Sequence, residues 1–387
     1  MTQDDEINRP IALTLILASI LPLVQAGLLA PSLLVIGETF NAARESNFGT
    51  GILLVAPTAA IILSALWIGA LVDRWSKVTI LSIAIAAYSI LNLLASIAVS
   101  LGQLLIFRIL LGFALAGIVT ATGALIGDMF AGRTRERVLG WQSACRGLSA
   151  GISPIVGGLA AMAHWRVALA ANVFALALLP VVRSLPLAAP AATRKSPPLN
   201  LHAVAIVYVA IFSGWLIQYL MTLQISFHLA SMGMAEPLWP GLALGASSLA
   251  AAAVASQYSR LRELLSYPAI AAAAYACLSC AYILMGMSSL PSVVLGTLLA
   301  GAAIGTTTAN CTAWLFARVE AGVRGKAMGG FAISMFSGQL ISPFLYEPIV
   351  RTLGAGGAFF VVAGASIVLA SIFAMLAARA DRRAASV

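Results

Sequence analysis

An arginine set among leucines and isoleucines is the first chemistry this sequence offers. The run LLIFRILLGFALAG carries Arg108 about five residues into an apolar stretch, and WQSACRGLSAG carries Arg146 in another. At bilayer depth an arginine costs roughly 2 to 17 kcal/mol depending on the reference, so each must meet a cavity, a partner or the membrane surface. Arg108 either faces the interior as a working cation or snorkels to the near surface, and Arg146 either attracts an anionic group or snorkels likewise. The thirteen acidic residues all fall at termini, loops or span ends. Glu347, His228 and Asp128 are the nearest approaches to an intramembrane proton carrier. No His/Cys/carboxylate set has metal-ligand spacing, and no Gly-rich phosphate loop or G-x-S-x-G elbow occurs. Neither an enzyme, a metal site nor a cofactor is expected. The four cysteines lie inside apolar runs, and CLSC at 277–280 lacks the context of a redox or zinc motif, so all four read as small packing residues.

The elements that must position these residues follow from composition. The chain is 61% hydrophobic and 9% charged, far below the roughly 25% charged residues of soluble domains. Its apolar runs are continuous and about 20 residues long, which suits helices rather than the alternating strands of a barrel. The first run follows an acidic opening, MTQDDEINRP, and is expected to be retained as a span rather than removed as a leader. Twelve spans are predicted at 11–36, 50–72, 77–99, 103–128, 137–161, 165–183, 202–229, 238–258, 267–287, 291–316, 325–348 and 356–378. With both termini inside, seventeen of the twenty-two Lys and Arg fall in cytoplasmic segments and three, Arg44, Arg166 and Arg351, fall outside. That asymmetry sets the orientation. It also accounts for the net charge of +9 without nucleic-acid binding, because the charges are dealt out loop by loop.

The sequence also repeats itself. RERVLGWQSACRGLSAGISP (135–154) aligns without a gap on RGKAMGGFAISMFSGQLISP (324–343), an offset of 189 positions. LGFALAG (111–117) echoes LGTLLAG (295–301), and AAY recurs at 86–88 and 273–275. The expected architecture is an all-α membrane protein of 12 transmembrane helices in two pseudo-symmetric six-helix halves, 1–183 and 201–387. A Pro-rich basic linker at 184–200 joins them. Parallel halves of this kind belong to alternating-access transporters, with the site between them near the midplane.

Between spans 2 and 3, GALVDRWSKVTIL resembles the signature loop of the major facilitator superfamily, with Gly69, Leu71, Asp73, Arg74 and Lys77 matching and Ser76 and Val78 departing. The resemblance implies a latch in which Asp73 meets span 11 and the basic residues pair with an acid ending span 4, here Asp128. Leu104, Arg108 and Gly112 resemble the span-4 pattern of that family, whose arginine is linked to proton transfer in exporters. GISPIVGG at 151–158 resembles the antiporter motif of span 5 through Pro154, Gly157 and Gly158, with Ser149 and Ser153 in place of glycines. A family cavity lined by spans 1, 4, 7 and 10 implies roles for Gln25, Trp215, Gln218, Tyr219, Thr222 and Asn310, with Gln339 added from span 11. Span 1 lacks the acid that many proton-coupled exporters carry.

The expectation is a monomeric inner-membrane exporter of a drug-like compound, siderophore or metabolite, working by proton antiport. An importer or facilitator of a small organic anion, using Arg108 and Arg146, is the alternative of the same class. A membrane sensor or scaffold that does not transport is the alternative of another.

Overall fold

The computed structural model describes residues 9–40, 48–130, 132–185, 200–320 and 323–385, and among them there are helices and no strand. In chain order these are α1 (Arg9–Thr39), α2 (Phe48–Arg74), α3 (Lys77–Ser96), α4 (Leu101–Met129), α5 (Gly132–Ala163), α6 (Trp165–Arg183), α7 (Leu201–Ser231) and α8 (Leu238–Ser256). A short helix, Tyr258–Leu264, leads to α9 (Tyr267–Gly286) and α10 (Leu290–Arg318). The last helical stretch runs Arg324–Ala385, where two spans separated by a loop are expected from the sequence. A single residue divides it, Gly354 at φ 70, giving α11 (324–353) and α12 (355–385). Glycine alone enters that region of φ without a Cβ penalty, so one residue does the work of the loop.

Nine helices among the described residues are long and apolar enough to cross a bilayer. One of them, Lys326–Arg379, contains the Gly354 break and so holds two spans. The other two are α2, whose apolar run Gly49–Ser64 is shorter, and α5, which opens on GRTRER. The set is consistent with twelve crossings. Serines start several helices by accepting a backbone N–H: Ser76 from Thr79 at 3.4 Å, Ser100 from Gln103 at 3.2 Å, and Ser289 paired with Ser292 in a capping box.

Contacts divide the chain into unit 1, Met1–Arg194 with Glu236–Gly241, and unit 2, Lys195–Ala235 with Leu242–Val387. Of the expected linker, 186–199 lies outside the described residues. In unit 1 the core joins Leu15 and Leu21 of α1, Leu81, Ile85 and Tyr88 of α3, Leu111, Leu115 and Ile118 of α4, and Ala175 and Val182 of α6. The buried Tyr88 hydroxyl ties three of these helices, lying 2.5 Å from Asn172 Oδ1 on α6 and 3.3 Å from the Leu21 carbonyl on α1. In unit 2 the Tyr275 and Tyr282 hydroxyls of α9 donate to the Ala210 and Ile217 carbonyls of α7, each at 2.6 Å. A phenol in a dry interior must find a partner, and a backbone oxygen of the next helix is within reach. The AAY echo thus marks one device used twice, Tyr88 on α1 and Tyr275 on α7.

The LGFALAG echo has a different register in space. Gly112 of α4 lies on the Pro57 backbone of α2, and Gly301 of α10 lies on the Ser247 backbone of α8. These two glycines are 189 positions apart, the offset of the α5 and α11 repeat. The shorter sequence offset instead pairs Gly112 with Gly296, which packs on the Ala281 carbonyl of α9. Gly301 and Gly305, one turn apart, meet Ser247 and Ala251, also one turn apart, so the α8 and α10 backbones touch along a small-residue seam.

A Cβ at Gly301 would collide with backbone rather than with a movable side chain, and overpacking of this kind costs about 1–3 kcal/mol. Gly301→Ala is expected to lower the apparent thermal midpoint of the purified protein by more than about 2 °C. Gly364→Ala, where nothing lies within 4 Å of the added carbon, is expected to leave it unchanged.

Candidate functional site

Arg108 is fully buried, and its Nε donates to the Leu53 carbonyl of α2 at 3.1 Å. The reason for that partner lies four residues further along α2. Pro57 has no N–H, so the helical bond that would have satisfied the Leu53 oxygen does not exist. In lipid such an orphan must be satisfied by a neighbouring helix. Arg108 supplies the donor, and Gly112, one turn on, lets α4 come close enough to Pro57 to do so. The Arg-x-x-x-Gly spacing therefore has a local physical meaning: cation and contact point face the same proline on the same helix side. The arginine is held inside the bundle and does not snorkel.

At the basic end of unit 1, the buried Lys77 of α3 and the more open Asp128 of α4 form an ion pair. Arg135 of α5 closes the end of α4, donating from Nε to the Phe130 carbonyl at 2.7 Å and from its NH2 nitrogen to that of Gly127 at 2.6 Å. These are last-turn carbonyls, which favour a cation. Gly69, Asp73 and Arg74 lie on α2, with side chains outside the described set.

The corresponding end of unit 2 is built around aromatic rings. Arg262 lies over the Tyr267 ring at 4.0 Å, Tyr267 stacks parallel on Trp314 with centroids 6.1 Å apart, and Arg318 lies 5.0 Å from the Trp314 centroid. Asn310 underpins this ladder. Its Nδ2 donates to the Tyr267 carbonyl at 2.9 Å, and its Oδ1 accepts from the Tyr258 hydroxyl at 3.1 Å. Burial, reinforced by Tyr267, pushes the Tyr258 hydroxyl up to about 12, so it remains a donor throughout the neutral range. The sequence suggests Asn310 for the cavity lining; in the structure both ends of its amide are engaged, joining α10 to the start of α9 and to the short helix that precedes it.

The proline and glycines of GISPIVGG make two separate approaches. Gly157 faces α1, where an added Cβ would stand 2.6 Å from Leu28 Cα, and the Ser153 side chain sits against Gly27. Gly158 faces the segment Glu236–Gly241, which clusters with unit 1: its Cβ would stand 2.6 Å from the Pro237 carbonyl oxygen. In return, a Cβ on Gly241 would stand 2.5 Å from that of Pro154. In α11 the same places hold Tyr346 and Glu347. Tyr346 is buried, and Glu347 accepts from Arg351 Nε at 2.6 Å, an i, i+4 pair along the helix. His228, the third proton candidate, has Nε2 3.0 Å from the Met285 carbonyl and its ring edge-on to Phe359.

Trp215, Gln218, Tyr219 and Thr222 follow the i, i+3, i+4, i+7 spacing of one helix face. Trp215 Nε1, Gln218 Oε1 and Gln25 Oε1 are buried with no hydrogen-bond partner among the described residues. Such atoms are costly in a dry interior and available to a ligand. Gln339 is buried on α11, and Arg146 is exposed on α5. Two residues escaped the sequence reading. Gln224 of α7 is 7% exposed with its Oε1 unpartnered, and Pro57 creates the oxygen that Arg108 caps. A proline deep in span 2, four residues after an oxygen needing a donor, was the available signal for the second.

The sequence pattern of the family described as Major Facilitator Superfamily matches residues 15–279. The efflux pump dotC of Dothistroma septosporum is 30% identical over 151 residues, 38% of this chain and 25% of that protein. The tetracycline resistance protein, class B, of Escherichia coli is 30% identical over 138 residues, 35% of this chain and 33% of that protein. The chain thus aligns with about a quarter to a third of the length of these curated relatives. A bacterial homolog of the human lysosomal transporter Spinster, inward-facing and occupied, superposes with a TM-score of 0.82 at 15% identity over 95% of this chain and 96% of that one. A D-xylose–proton symporter superposes with a TM-score of 0.78 at 12% identity over 94% and 97%. At these identities the likeness is one of fold.

If Arg108 caps the carbonyl that Pro57 orphans, restoring the N–H should make the arginine less necessary. Arg108→Ala is expected to destabilise the protein in a denaturant titration, leaving a buried carbonyl that costs about 1–3 kcal/mol. The same substitution made on Pro57→Ala is expected to cost about 1 kcal/mol less. Equal losses in both backgrounds would refute the capping role.

Proposed function

The chain belongs to the major facilitator superfamily and is a multi-pass membrane transporter rather than an enzyme, and from that premise we propose that it exports a small organic molecule by proton antiport. In this reading the protein sits in a bacterial inner membrane as a monomer, both termini in the cytoplasm, with the Lys and Arg of the expected inner loops holding that orientation. The observation that carries the direction of transport is the α5 surface. Gly157 and Gly158, which with Pro154 resemble the exporter motif, lie against the backbones of α1 and of Pro237–Leu238 with no room for a Cβ, and the Pro154 carbonyl lies against Gly241. The likeness to an efflux pump and to a tetracycline resistance protein supports the same direction.

In unit 2 the unpartnered polar atoms of Trp215 and Gln218, with Tyr219, Thr222 and Gln339, offer contacts to a substrate, and in unit 1 Gln25 offers another. Arg146 draws in any anionic group. A lining of amide and indole with a cation and no central acid suits a neutral or anionic amphipathic solute over a multivalent cation. Arg108 links the path to α2 and hence to the Asp73, Arg74 and Lys77 loop, which with Asp128 latches one conformation. Transport then proceeds by alternating access. The proton is carried at Glu347, which pairs with Arg351 one turn along α11.

Inverted membrane vesicles acidified inside test this directly. Adding a transported compound is expected to release luminal protons from wild-type vesicles and not from Arg108→Ala vesicles of equal protein content. A panel of drugs, siderophores and organic anions that moves no protons at any concentration, while one of them is still taken up, would exclude proton antiport.

A further inference from the structure

The end of unit 2 that carries the helix Tyr258–Leu264 has a surface of two characters. Arg260 is exposed and Arg262 half-buried, while Leu264 is 81% exposed and Leu265 37% exposed beside them. Leucines this open next to arginines match a segment in the headgroup layer of a bilayer, its apolar side chains toward the acyl region and its cations among phosphates. The way the arginines are held supports this. In unit 1 the equivalent junction is tied by Lys77 and Asp128, which cancel each other's charge. In unit 2 the Arg262 guanidinium is stacked on Tyr267 and Arg318 lies over Trp314. An aromatic face orients a cation without neutralising it. Arg262 commits one N–H to the Leu265 carbonyl at 2.7 Å, which fixes the plane of a group with five donors. Glu263 is the acidic neighbour on the helix, so the segment 258–265 keeps a net positive charge.

We propose that Arg260 and Arg262 bind the phosphodiester headgroup of an anionic phospholipid whose acyl chains lie against Leu264 and Leu265. The exposed leucines favour a lipid over a free anion, because a soluble phosphate makes no use of them. The cation–π ladder through Tyr267 and Trp314 connects that lipid to α9 and α10. A basic site between membrane helices near the surface is a known form of lipid recognition.

The test uses the full chain in nanodiscs of equal phosphatidylglycerol and phosphatidylcholine, with lipid adducts counted by native mass spectrometry after release. Wild type is expected to retain phosphatidylglycerol over phosphatidylcholine. Arg260→Gln/Arg262→Gln is expected to cut the phosphatidylglycerol adducts at least threefold with phosphatidylcholine adducts unchanged. Arg262→Lys is expected to keep most of them. Should the double variant fail to fold, the exposed Arg260→Gln alone is expected to cut retention about twofold. Equal retention by the folded variants, no preference in wild type, or displacement of phosphatidylglycerol by millimolar inorganic phosphate would each overturn the proposal.

Discussion

No backbone carbonyl can be left bare in hydrocarbon, and this protein interrupts its own helices with prolines at Pro22, Pro57, Pro154, Pro343 and Pro348. Each removes a donor that a neighbouring element must replace or a packing contact must shield. The clearest replacement is the Arg108 guanidinium on the Leu53 carbonyl. It determines which way Arg108 points, why Gly112 follows one turn later, and which two helices are locked together. A residue that resembles a functional arginine of the family is thus also a structural bond. The two roles are compatible, since a cation already bound to α2 can pass any change in its own partners to that helix.

The same economy of backbone contacts runs through both units. Tyr88, Tyr275 and Tyr282 reach carbonyls on the next helix, and Gly112, Gly157, Gly301 and Gly305 bring backbones into contact. The units differ where charge is concerned. One joins its third and fourth helices through Lys77 and Asp128; the other joins the corresponding pair through Arg262, Tyr267, Trp314 and Arg318. An ion pair is sensitive to salt and to any competing charge, whereas a stacked guanidinium retains its charge.

Much of this was legible in the sequence. Runs of about 20 apolar residues placed the helices, because in a bilayer length and hydropathy leave few alternatives. Lys77 and Asp128 came through resemblance to a family loop and are brought together. What was not legible depends on pairing across helices. The partner of Arg108 was invisible because nothing in the α4 sequence names Pro57. Asn310 was read as cavity lining from the family's cavity spans and its depth, and its two hydrogen bonds come from residues 43 and 52 positions away. The LGFALAG echo misled by five residues, since small-residue motifs recur on more than one face of a glycine-rich helix. The join of α11 and α12 at Gly354 was read as a loop because a single positive φ leaves no compositional trace beyond one glycine among several.

The central proposal is a transporter whose two internally bonded units each keep their internal distances during turnover. Pulsed electron–electron distance measurements on spin labels replacing exposed residues, in a cysteine-free background, address it most directly. Labels at Leu13 and Val99, both in unit 1, and at Leu264 and Met287, both in unit 2, report within a unit; Val99 with Met287 reports between them. The account predicts that adding a transported compound redistributes the Val99–Met287 distances between two populations and leaves both within-unit distributions unchanged. An unchanged Val99–Met287 distribution during demonstrated transport, or a shift confined within one unit, would contradict it.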